Sequence, residues 1–396
     1  MSAYESSVER PPATKHAAIS VAILAFSAFL IVTTEFLIVG LLPALARDLG
    51  ISISAAGQLV TLFAFTVMFC GPPLTAALSH LDRKKLFIVI LLIFAAANAL
   101  AAAANSFWLL AIARLIPAMA LPVFWGTASE TAAQLAGPQR AGKAVAQVYL
   151  GISAAMLLGI PLGTVAANEI GWRGAFWLLA GLSLSMAVAV WRFMPAVART
   201  ARVNFLKQAQ IFKQGYFLAN VLLSVVVFTA MFTAYTYLAD ILERVADVAP
   251  AHVGWWLMGF GAVGLLGNWI GGHAVDKSPI KATALFLILL AIGMAAIVPL
   301  ADTGSLFIAA LALWGIANTA LYPVCQVRVM SSVSQAQALA GTTNVSAANA
   351  GIGLGAIIGG MTIPWLGTDY LGYVAAAVSL LALLMIPLVS RLAPVR

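Results

Sequence analysis

What this sequence has least of is charge. Asp, Glu, Lys and Arg together make up 9% of its 396 residues, against about a quarter in a soluble domain. No polar stretch is long enough to house a catalytic domain. Histidine is down to four residues, His16, His80, His252 and His273, with no spacing that would ligate a metal. The two cysteines, Cys70 and Cys325, fall inside apolar runs and read as small buried hydrophobes rather than a disulfide. A Gly-x4-Gly-Lys-Ser/Thr phosphate loop is missing, which argues against ATP drive in this chain. Soluble enzyme, metalloprotein and nucleotide-driven pump are set aside.

What is there is grease. Hydrophobic residues are 63% of the chain and mean hydropathy is +1.02, a composition for a polytopic membrane protein. Twelve apolar runs of helical length stand between charged, Gly or Pro punctuation: 19–46, 54–78, 86–104, 107–129, 144–167, 173–194, 216–239, 253–274, 281–301, 304–327, 339–365 and 370–390. The first run is too long for a cleavable signal and reads as a retained helix. Net charge is +8, but the basic residues sit in the connections, so they speak for orientation and not for nucleic acid. With both termini cytoplasmic, seventeen of the 21 Lys and Arg fall on the inner side. Arg47, Arg173 and Arg244 fall outside, and Arg114 lies within a run.

The expected architecture is all-α and integral to the membrane. A tail at 1–18 leads to a six-helix half at 19–195, a basic linker at 196–215, a second half at 216–391 and a tail at 392–396. Within the linker, 205–212 could form a short amphipathic helix. A weak repeat crosses it. Gly159-x3-Gly163 meets Gly355-x3-Gly359 at an offset of 196, and Ser79-His80 meets Asp276-Lys277 at 197. Duplicated halves are the architecture of many secondary transporters. An offset of 197 places Glu35 on Phe232 and Arg114 on Leu311, so the ionisable pair belongs to one half.

Glu35 is the residue to explain. A charged group deep in such a run costs about 2.5–3.5 kcal/mol on insertion scales, so it usually has a task. A carboxylate there can take up and release a proton, as a proton-coupled carrier requires. Arg114 keeps its charge and should face the bundle interior and a partner. Polar and aromatic residues inside other runs are candidates for a solute cavity: Trp125, Tyr149, Tyr235, Asn318, Tyr322, Asn344 and Asn349. Uncharged hydrogen-bonding groups beside aromatic faces suit a neutral polyhydroxylated or heterocyclic ligand.

Several stretches resemble the major facilitator superfamily, specifically its drug:proton antiporter-1 division, and within it bacterial sugar (arabinose-type) efflux permeases and purine nucleoside efflux pumps. They are Thr34-Glu35-Phe36 to Gly40-Leu41-Leu42-Pro43, Asp82-Arg83-Lys84-Lys85-Leu86, Arg114, Val123-Phe124-Trp125-Gly126, and Gly159-Ile160-Pro161-Leu162-Gly163 leading to Gly171-Trp172-Arg173. The resemblance implies gating roles for Asp82, Arg83 and Lys84, matched in the second half by Gly272, Asp276 and Lys277. It implies a helix-bending antiporter motif at Gly159, Pro161 and Gly163, and a proton role for Glu35 and Arg114. Thr75 and Ser79 replace the family's Gly and Asp in the gating loop, and Pro117-Ala118 its Gln-Gly after the arginine.

The expected function is proton-coupled export of a small neutral solute, sugar- or nucleoside-like, across a bacterial inner membrane by alternating access. Expected partners are the solute, protons and the lipid bilayer. The protein is expected to act as a monomer with no cofactor beyond the proton gradient. A broad drug:proton antiporter, a proton-coupled importer and a non-transporting receptor are the alternatives.

Overall fold

The computed structural model describes residues 14–78, 80–137, 140–197 and 209–393. Helices are α1 (Thr14–Leu49), α2 (Ile53–Leu78), α3 (Arg83–Ala102), α4 (Phe107–Ala136), α5 (Ala141–Ala154), a π turn (Ala155–Gly159) and α6 (Ile160–Phe193). After a 3-10 turn (Ala209–Lys213) come α7 (Gly215–Tyr235), α8 (Leu238–Arg244), α9 (Pro250–Lys277), α10 (Pro279–Ala296), α11 (Ser305–Ser331), α12 (Gln337–Leu366) and α13 (Leu371–Arg391). No strand occurs among the described residues.

Among the described residues, eleven continuous helical stretches are long and apolar enough to cross a membrane, and one of them, 143–193, has 51 residues. At 1.5 Å per residue that is about 76 Å, more than twice a hydrocarbon core. Gly171 resolves the excess. Its φ of 74° and ψ of 159° break α6, a conformation that glycine adopts without a Cβ penalty. Residues 141–170 and 172–193 are therefore separate crossings, and the total is twelve.

Boundaries move where polar side chains find partners within the helix. The third run starts three residues early because Asp82 caps α3, accepting a hydrogen bond from the Lys85 amide at 3.0 Å. The fourth run reaches Ala136 because its polar end is satisfied. Thr131 bonds back to the Thr127 carbonyl at 2.7 Å, and Glu130 accepts from Arg83 at 2.8 Å. Of the expected linker, 198–208 lies outside the described residues, with Arg199, Arg202, Lys207 and the first half of the proposed 205–212 helix, whose second half falls in the 3-10 turn; Ser79 is also outside.

Helices α1 to α6 pack on one another, as do α7 to α13, and the two bundles meet along a seam. The end carrying the 49–53 turn is called here the far end, and the opposite one the linker end. Exposed tryptophans mark both rims: Trp108, Trp255 and Trp365 at the far end, Trp191 and Trp269 towards the linker end. Such belts sit at membrane–water interfaces.

The repeat is written into the packing. Thr33 lies against Gly159 and Leu37 against Gly163, while Thr229 lies against Gly355 and Thr233 against Gly359. Both members of each pair shift by 196 positions. Two further pairs join a residue to its own counterpart at that offset. The Phe36 and Phe232 rings are 5.9 Å apart, and Arg47 pairs with Glu243 at 2.7 Å. They mark a pseudo-twofold axis running between α1 and the α7–α8 segment. With 196 in place of 197, Glu35 falls on Met231 and Arg114 on Ala310.

The glycines permit this approach. A methyl at Gly355 would stand 2.7 Å from the Thr229 carbonyl oxygen and 2.8 Å from the Thr233 nitrogen, both backbone. Gly355→Ala is expected to destabilise by about 1–3 kcal/mol, read as a lower thermal midpoint in detergent. At Gly272 the added methyl meets nothing within 4 Å, and Gly272→Ala should hold the midpoint or raise it slightly, since alanine favours the helix by about 0.5–1 kcal/mol.

Every seam contact named here lies between mid-depth and the far end. Ser54 donates to the Gly360 carbonyl at 2.5 Å, Thr61 to Gly353 at 3.3 Å, and Asn168 to Pro250 at 3.2 Å. Gly254 and Gly261 of α9 pack on the Pro161 and Met156 carbonyls. The seam is closed at the far end.

Candidate functional site

Glu35 lies in the interior of α1, half-buried, with a fully buried set of side chains behind its backbone. Arg114 of α4, 2% exposed, reaches α1 from behind. Its two terminal nitrogens donate to the Thr34 carbonyl at 2.5 Å and the Glu35 carbonyl at 2.6 Å. Its guanidinium stands over the Phe63 ring of α2, 4.4 Å from the centroid. Asn98 of α3 completes the cluster, donating to the Thr34 hydroxyl at 3.1 Å. Arg114 therefore ties α4 to α1 through carbonyl oxygens, each of which keeps a spare lone pair inside a helix.

The carboxylate itself is left free of that grip. Among the described residues no donor is recorded to the Glu35 side-chain oxygens, although the Arg114 charge acts on it. Across the seam the Tyr322 hydroxyl lies within electrostatic reach of both Glu35 and Tyr235. Around these groups stand aromatic rings from three helices of the second bundle. Tyr235 stacks on Phe260 at 5.6 Å, Phe228 meets Tyr322 edge-on at 5.2 Å, and Phe260 meets Trp314 at 5.5 Å. The arrangement places one titratable carboxylate between a fixed cation and an aromatic wall.

The expected residues divide. Glu35, Arg114, Tyr235 and Tyr322 come together at mid-depth. Asn318 lies one turn from Tyr322 on α11, fully buried, and neither polar atom of its amide has a hydrogen-bond partner among the described residues. Trp125 and Tyr149 form a separate stacked pair, 5.6 Å apart, between α4 and α5. Asn344 bonds Gln326 at 2.7 Å and ties α12 to α11, while Asn349 bonds back to the Val345 carbonyl at 3.0 Å. Gly159 and Gly163 pack on α1 as described; Gly159 closes the π turn and Pro161 opens α6 behind it. In the loop residues, Asp82 caps α3 and Arg83, 1% exposed, pairs with Glu130 of the same bundle. Lys84 is half-buried, and Gly272, Asp276 and Lys277 lie in the last turns of α9, the last two exposed.

Residues outside the expected set also take part. Asn98 was visible as a lone amide in the alanine-rich third run. By sequence Arg328 falls among the solvated inner connections, yet it is 3% exposed inside the second bundle. It donates to Ser224 at 2.8 Å and to the Asn220 carbonyl at 3.3 Å, tying α11 to α7. Arg114 is thus one of two buried arginines that staple the fourth helix of a bundle to its first.

The Major Facilitator Superfamily family model matches residues 24–344 and 221–396. The chain belongs to this superfamily. The Escherichia coli (strain K12) inner membrane transport protein YdhP is 34% identical to this superfamily member over 372 residues, covering 94% of this chain and 96% of that one. A probable sugar efflux transporter of Helicobacter pylori (strain G27) is 28% identical, covering 93% and 94%. Among solved structures, a bacterial homologue of the human lysosomal transporter Spinster, inward-facing and unoccupied, superposes with a TM-score of 0.84 at 15% identity, covering 96% and 98%. A D-xylose–proton symporter gives a TM-score of 0.75 at 17% identity, covering 94% and 97%. The fold is the major facilitator fold of twelve crossings, and the chain is a membrane transporter of this superfamily.

Proposed function

We propose that this superfamily member exports a small neutral solute, sugar- or nucleoside-like, in exchange for protons, by alternating access between the halves 19–195 and 216–391. The observation that carries the reading is Glu35. It is a titratable carboxylate at mid-depth, left free by an Arg114 that bonds the main chain, and its neighbour Phe36 meets Phe232 across the seam at 5.9 Å. The basic residues of the connections favour a cytoplasmic linker end, with both termini inside and the closed far end outside. The names of the relatives support an inner-membrane location and the direction of transport. The protein acts as a monomer, and 196–215 joins its halves.

In the cycle, the proton enters from outside and neutralises Glu35. The solute binds from the cytoplasm among Tyr235, Asn318 and Tyr322. One proton crossing 100 mV releases about 2.3 kcal/mol, enough for roughly fifty-fold solute accumulation. The gating role at the linker end falls to Asp82, Arg83 and Lys84 of the first half and Gly272, Asp276 and Lys277 of the second.

The test is reversal. In proteoliposomes loaded with a pH dye, an imposed gradient of transported solute should drive protons the opposite way, with arms for pentoses and hexoses, nucleosides and lipophilic cations. Proton movement with the solute would make the protein an importer, and a response to lipophilic cations alone would make it a drug exporter. No proton movement with any solute that exchanges would end the proposal.

A further inference from the structure

Tyr237 stands between α7 and α8, at a break that no glycine or proline explains. α7 ends at Tyr235, and Tyr237 precedes α8 with φ −108° and ψ 17°. Its ring is fully buried, and its hydroxyl donates to the Ala356 carbonyl of α12 at 2.7 Å.

The ring occupies a slot made by one helix from each bundle. On the α2 side the slot floor is Gly57. A methyl there would land on the Tyr237 hydroxyl oxygen and lie 2.6 Å from both Cε1 and Cζ. On the α12 side it is Gly359 and Gly360. A methyl at Gly359 would lie 2.6 Å from Cε2, and one at Gly360 would lie 2.7 Å from the hydroxyl. Ser54 and Gln58 of α2 border the same place, 3.1 and 2.8 Å from a methyl at Gly360. Two turns further along, α8 delivers Glu243 to Arg47, the ion pair across the seam.

We propose that Tyr237 is the positioning residue of the far-end gate, a ring held between α2 and α12 whose glycine slot exists only while the two halves are together. The phenol is attached to the second half by its bond to Ala356, so Gly57 is the surface that must leave it when the far end opens. Gly57 has to be glycine because any side chain there meets an anchored ring rather than the loose end of a flexible one. This inference rests on the alternating-access reading and not on the proton or the solute.

The test is double electron–electron resonance on the full chain in proteoliposomes, with Cys70→Ser and Cys325→Ser. One label pair spans the far end (Glu169→Cys, Asp302→Cys) and another the linker end (Lys143→Cys, Lys281→Cys); all four sites are exposed. Gly57→Ala should lower the closed-to-open ratio at the far end at least tenfold, with the linker-end distance shortening in step. Tyr237→Phe keeps the ring in its slot and loses only a bond inside the second half, which both states keep, so the far-end distances should stay those of the wild type. In a Tyr237→Ala background, adding Gly57→Ala should change nothing, because the collision is gone. A ring with only a structural role would lower the melting midpoint and leave the distances alone. Unchanged distances in Gly57→Ala would overturn the assignment if the wild type switches with pH or solute. A wild type with one distance under every condition would overturn alternating access, and this inference with it.

Discussion

Glu35→Gln is expected to abolish proton-driven accumulation while solute exchange survives. Glutamine has the same length and shape and offers an amide in place of the carboxyl, so the contacts of α1 with α4 and α5 need not change. The Arg114 bonds to the Thr34 and Glu35 carbonyls involve the main chain and are indifferent to this side chain. What is lost is the ability to carry a proton between the two sides of the seam. Accumulation under a pH gradient should fall from roughly fifty-fold per 100 mV to none. Counterflow, which needs binding and rocking alone, should keep its rate within a few fold. Accumulation that persists in Glu35→Gln would remove the carboxylate from the coupling mechanism.

Arg114→Ala is expected to do the most damage to the fold. Its removal takes the second donor from two carbonyl oxygens of α1 and the cation from above the Phe63 ring. It also leaves Glu35 without a counter-charge in the bundle. Two buried hydrogen bonds from a charged group, at about 1.5–3 kcal/mol each, make the loss about 3–6 kcal/mol. The expected result is poor recovery in detergent and a thermal midpoint many degrees lower. Arg114→Lys separates charge from geometry. An ammonium restores the sign but cannot offer the planar fork that reaches two carbonyls and stacks on a ring. Lysine should recover part of the stability while transport remains well below wild type. Full transport with lysine would show that only the charge matters.

The crossings were legible because each apolar run must satisfy its own backbone, and only a helix does so in lipid. The break at Gly171 was legible as well, since a glycine before Trp172-Arg173 interrupts a run too long to be one helix. The break at Thr236–Tyr237 was not, because neither residue breaks helices and the cause is a ring seated in another pair of helices. Glu35 and Arg114 stood out by chemistry, but their relation did not. That the guanidinium takes the carbonyls and leaves the carboxylate depends on where α4 crosses α1, and spacing along the chain is silent on that. Arg328 was hidden by its position near the end of a run, where a cation can reach water. Ser224 and Asn220 of α7 hold it inside instead. Asn344 and Asn349 were picked for polarity, and their amide nitrogens are taken up by Gln326 and by the helix itself.

Arg47 and Glu243 occupy equivalent places in the two halves, 196 positions apart, and they touch. A residue beside a pseudo-twofold axis meets its own counterpart, so a repeat identical in sequence would set like charges against each other there. An arginine on both sides, or a glutamate on both, would repel at contact distance. The bridge at the far end therefore depends on the halves having different sequences, and it is an interaction that exact symmetry would forbid.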